Sequence, residues 1–74
     1  MSRLVRMDQN GHTVLAQWTA EDPIAMEGAR AALAAELEHG YLAVATGPGG
    51  GAVAVRELPI DAEMVVLRRP IAGG

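Results

Sequence analysis

The sequence predicts an α+β fold in which one helix lies across one face of a small mixed sheet of four to five strands. Three features lead there: two alternating apolar segments joined through Asn-Gly, one alanine-rich segment with helical spacing, and three short β-prone runs after it.

Arg3 to Gln9 and Thr13 to Thr19 alternate apolar and polar residues, and Asp8-Gln9-Asn10-Gly11 between them suits a tight hairpin turn. Because side chains alternate along a strand, Val5 and Met7 are expected to share one face, with Val14, Ala16 and Trp18 on the matching face of the second strand. That face is expected to be the buried one. The same rule assigns Leu4, Leu15, Tyr41, Met64 and Val66 to the outer face, as scattered exposure or as a partner patch.

Asp22 can cap a helix that Pro23 opens, since a residue without an N–H loses nothing at the first helical position. From Ile24 to His39 alanine, leucine and glutamate dominate, and Gly40 is the expected stop. Met26, Ala29, Leu33 and Leu37 form the apolar stripe, with Glu27, Arg30 and Glu38 facing away from it.

Tyr41 to Thr46 reads as a strand, Gly47-Pro48-Gly49-Gly50-Gly51 as a loose connection and Ala52 to Glu57 as the next strand. Pro59 breaks that pattern before the compact run Met64 to Arg68. The expected core joins Val5, Met7, Val14, Trp18, Val44, Val53, Val55, Val65 and Leu67 to Leu33 and Leu37. Residues 1–69 are expected to form one domain and 70–74 an extended tail.

Composition removes several function classes. The 74 residues contain no cysteine and two histidines, His12 and His39, which argues against a disulfide framework, a zinc knuckle or a catalytic thiol. All six basic residues are arginine, against nine acidic residues, and a net charge of −3 suits neither a nucleic acid nor an anionic membrane as partner. Met1 to Arg6 lacks the apolar stretch of a signal peptide, and no run approaches the roughly 18 apolar residues that span a bilayer, so a cytoplasmic location is expected.

The glycine-rich loop has no following Lys-Ser or Lys-Thr and leads into a strand, so it reads as a connection rather than a phosphate cradle. Asp61 with Glu63, and Glu36 with Glu38, are read as solvated charge; residues two apart on a helix do not face each other. No nucleophile sits beside a base. Neither catalysis nor a bound cofactor is expected.

The closing segment is the most informative. Arg68-Arg69 runs into Pro70-Ile71-Ala72-Gly73-Gly74, and glycines without β-carbons can thread a narrow channel and present a carboxylate. Asp61 to Gly74, with its acidic residues, strand, proline, aliphatic residue, small residue and Gly-Gly, resembles the end of prokaryotic sulfur carriers of the ubiquitin-like β-grasp family. Leu67-Arg68-Arg69 is similar to the arginine-bearing tail of ubiquitin. The resemblance in residues covers the last 14 positions, and the rest matches in the order of elements.

That resemblance implies a β-grasp fold and a protein modifier or sulfur carrier, the modifier being slightly favoured. A partner adenylating enzyme would use ATP to activate the Gly74 carboxylate, which would then pass to sulfur as a thiocarboxylate, or through a thioester to a lysine amine of a target protein. Gly73 would keep the tail extended, and Arg68, Arg69, Pro70 and Ile71, with the Tyr41, Met64 and Val66 face, would contact partners. Lacking lysine, such a modifier offers only its N-terminal amine to a second copy. The alternative is a non-enzymatic interaction or assembly module, bacterial or viral, that uses a sheet edge or that face to pair with itself or a partner, the diglycine being incidental.

Overall fold

Strands β1 (Ser2–Asp8) and β2 (Gly11–Trp18) form the antiparallel hairpin expected from the Asn-Gly turn. The computed structural model describes residues 1–9, 11–47, 51–59 and 61–69. Helix α1 (Pro23–Glu38) follows, and the Asp22 carboxylate accepts the Ala25 N–H at 3.0 Å, satisfying a donor that the first turn leaves free. At the other end the His39 N–H donates to the Ala35 and Glu36 carbonyls, and Gly40, at φ +93°, turns the chain out of the helix.

Three short strands complete the domain: β3 (Leu42–Thr46), β4 (Ala52–Val55) and β5 (Met64–Arg68). The sheet order is β2-β1-β5-β3-β4, with β1 and β5 parallel and every other neighbour antiparallel. One helix on a five-stranded mixed sheet is the α+β arrangement expected. Several strand limits differ from expectation: β1 begins and ends one residue earlier, β2 begins two residues earlier and ends at Trp18, Tyr41 precedes β3, and β4 stops at Val55, with Arg56 and Glu57 in a bend.

The buried face of the hairpin is not the one that plain alternation selects. Leu4 pairs with Ala16 but Val5 pairs with Val14, so Leu15 is an extra residue and the register shifts by one. β1 alternates without interruption, with Leu4 facing α1 beside Trp18, both almost wholly buried, and Met7 facing away, 45% exposed; the extra residue in β2 turns Val14, 40% exposed, to the same side as Met7. Leu15 and Ala16 both pack against the core. The assignment of Leu4 and Leu15 to the outer face is thus corrected, as are that of Tyr41, which packs against the core cluster, and that of Met7 and Val14 to the core. Val5 is buried, but from the outer face.

Two valines of the expected core are also corrected, Val44 by the face it occupies and Val53 by its place at the sheet edge. Register puts Ala43 and Ala45 of β3 on the α1 side with Val65 and Leu67 of β5, which leaves Val44 on the outer face beside Val66. Val53 is 63% exposed, on a strand at the sheet edge. The core joins Leu4, Trp18, Val65 and Leu67 to Met26, Ala29 and Leu33 of α1, each large buried side chain contributing about 1.5–3 kcal/mol.

The segment before β5 closes the near end. Leu58 and Ala62 are buried in the core cluster, the Ser2 hydroxyl donates to the Ala62 carbonyl at 2.6 Å, and the Glu63 N–H donates to the Thr46 carbonyl at 2.9 Å. These bonds anchor β5 between β1 and β3.

Candidate functional site

Because β5 runs up the middle of the sheet, the chain leaves the domain from its centre rather than from an edge. Parallel pairing of Arg6 with Leu67 brings the end of β5 beside the end of β1, and Leu42 lies opposite Arg68 on the other side. A groove of about 660 Å³ opens there, lined by Met7, Asp8, Gln9, Tyr41, Arg68 and Arg69. The Arg69 guanidinium carbon lies 5.5 Å from the centre of the Tyr41 ring, a cation–π contact that holds the arginine against the domain.

Of the residues singled out from sequence, Tyr41, Arg68 and Arg69 therefore line one groove at the end of β5. Met64 and Val66 lie along the outer face of β5, each half-buried. Pro70, Ile71, Gly73 and Gly74 lie outside the described residues. The Arg69 guanidinium beside the ring and Arg68 in the same groove, with Asp8 also lining it, suit a partner that bears a carboxylate, since each arginine presents a planar fork of donors.

The outer face has a distinct chemistry. Val5, Val14, Val44, Val66, Leu42 and Met64 make up its middle, and Arg3, Arg68 and His12 stand among them. Among the described strands Asp8 is the one acidic residue, and alternation puts it on the α1 side with Leu4 and Arg6. An acidic protein thus carries a sheet face whose charged residues are all basic.

On the covered side, one arrangement escaped the sequence reading. Glu36, expected as solvated charge, is turned inward from α1 and accepts from Arg6 Nη1 at 2.9 Å, with His39 Nδ1 3.8 Å from its other oxygen. The signal was present, since Ala29, Leu33 and Glu36 are spaced by four and three along the buried stripe. The other three carboxylates, Glu38, Asp61 and Glu63, are exposed.

A second groove, about 540 Å³, is lined by Arg30, Leu33, Ala34, Arg56, Glu57 and Leu58 and contains no nucleophile. Among the described residues no three metal-binding side chains come together, and no helix is long and apolar enough to cross a membrane. Comparison of the chain with protein-family models, with curated proteins and with solved structures gives no match.

Proposed function

We propose that this protein is a ubiquitin-like modifier or sulfur carrier that works through Gly73 and Gly74, its chemistry supplied by partner enzymes. The observation that carries the reading is the sheet order β2-β1-β5-β3-β4, consistent with a β-grasp-like arrangement, in which the last strand is central and leads through Arg68 and Arg69 toward Pro-Ile-Ala-Gly-Gly. The groove at Tyr41, Arg68 and Arg69 adds a cationic foothold where a partner would approach the tail.

In this reading the Gly74 carboxylate attacks the α-phosphate of ATP on an adenylating enzyme, and pyrophosphate leaves. Hydrosulfide, or a donor's persulfide whose acyl disulfide is then cleaved by a second thiol to leave a disulfide, displaces AMP to give a thiocarboxylate; or an enzyme thiol displaces AMP and a target amine takes the acyl group with loss of the thiol.

The test is intact mass. Protein isolated from its source should end at Gly74. After incubation with ATP and source lysate, the full chain should exchange one oxygen for sulfur, or form target adducts, and a chain lacking Gly73 and Gly74 should do neither. If both chains stay unmodified and keep the same binding partners, the diglycine is incidental and the interaction-module reading replaces this one.

A further inference from the structure

We propose that the outer sheet face is covered by the solvent face of α1 from a second copy of this chain, in a head-to-tail contact. The proposal does not depend on the diglycine. A sheet covered on one side only leaves an apolar layer toward water, and a helix is the usual second cover.

Charge identifies the occupant. Among the described strand residues the outer face has Arg3 and Arg68 as its strong charges and no carboxylate, so two copies placed sheet against sheet would bring cations together with no carboxylate of that face to pair them. The solvent face of α1 is the complement. Ile24, Glu27, Ala31, Ala35 and Glu38 lie on it, all exposed, and Ile24 is 85% exposed, an apolar side chain with no cover. Glu27 and Glu38 are eleven residues apart, which returns them to one side of the helix about 16 Å from each other. Arg3 lies opposite Met64, so Arg3 and Arg68 are separated along the sheet by four strand residues, about 13 Å.

Two acids with alanines between them can therefore lie over two arginines with valines between them, and the alanines let the helix come close. Arg30 contacts Glu27 at 3.3 Å, but an exposed pair of this kind holds its carboxylate weakly. Because the two surfaces differ, each added copy leaves one of each kind open, and assembly continues rather than closing as a dimer.

Sedimentation over a range of protein and salt concentrations tests this on the full chain. The expected result is concentration-dependent association that weakens as salt rises. The variant Arg3→Glu/Arg68→Glu and the variant Glu27→Arg/Glu38→Arg should each associate at least about tenfold more weakly, since each sets like charges against each other. The chain with all four changes should associate again, and an equimolar mixture of the two double variants should form mixed complexes. All four positions are exposed, and unchanged circular dichroism would verify that each variant folds. A monomer at every concentration, a closed dimer, association indifferent to the helix substitutions, or no recovery in the four-change chain would each overturn the proposal.

Discussion

Arg6 Nη1 donates to Glu36 Oε1 at 2.9 Å, tying a strand inside the sheet to the inward side of α1. The Glu36 side chain is 12% exposed and that of Arg6 33%, so the carboxylate is largely removed from water while the guanidinium still reaches it. Arg6→Ala leaves that carboxylate inward-facing without its main partner, at an expected loss of about 2 kcal/mol, below the figure for a fully buried pair. The double variant Arg6→Ala/Glu36→Ala should cost less than the sum of the single changes. Urea unfolding followed by Trp18, the single tryptophan and a fully buried one, measures this; additive losses would mean the two groups act independently.

The extra residue in β2 makes a second contrast measurable. Leu4 is fully buried against α1, and Leu4→Ala should cost about 3 kcal/mol, a large share of what a domain of this size has. Val14→Ala, on the outer face, should cost about 1 kcal/mol or less in dilute solution. Equal losses at the two positions would contradict the register shift between Leu4 and Val5.

These residues also show where the sequence was readable and where it was not. Helix α1 was legible because its signals are local: Asp22 caps, Pro23 opens, Gly40 closes, and Met26, Ala29 and Leu33 face inward as their spacing demands. The strands were found for the same reason, but not the faces they bury. In β2 one extra residue at Leu15 reverses the side chains from Val14 toward the turn, while in β1, where alternation is unbroken, the more apolar face, Val5 with Met7, is the outer one because Arg6 shares the α1 side with Leu4. In β3 the error has another cause. Val44 looks more like a core residue than Ala43 or Ala45, yet small residues are what fit between a sheet and a helix that lies close to it, a tertiary requirement that no local pattern encodes. Glu36 was misread because a carboxylate was assumed to be solvated, when its partner Arg6 is 30 residues away in sequence.

Removal of the Asp22 carboxylate tests the helix cap alone. Among the described residues the carboxylate accepts from the Ala25 N–H alone, and Asp22 is exposed, so Asp22→Ala removes a cap without opening a cavity. The expected loss is about 1 kcal/mol, seen as a melting temperature lowered by about 4–8 °C. Asp22→Ser should recover most of it, because the hydroxyl can accept the same N–H.

One chemical change made at two glycines should have opposite signs. Gly28 lies within α1, exposed, with nothing within 4 Å of the position a β-carbon would take. Gly28→Ala therefore adds helix propensity without a clash, and should stabilise the domain by about 0.5–1 kcal/mol, chiefly by limiting the unfolded chain. Gly40 has equally open surroundings, but its φ of +93° is one that an L side chain rarely adopts. Gly40→Ala should destabilise by about 1 kcal/mol or more, although nothing would touch the new methyl group. Thermal melts of the two variants in dilute solution separate backbone conformation from packing, because space is available at both sites and only the dihedral differs. A loss at Gly28 would mean that the helix surface there is not open as described, and no loss at Gly40 that the end of α1 is not turned as described.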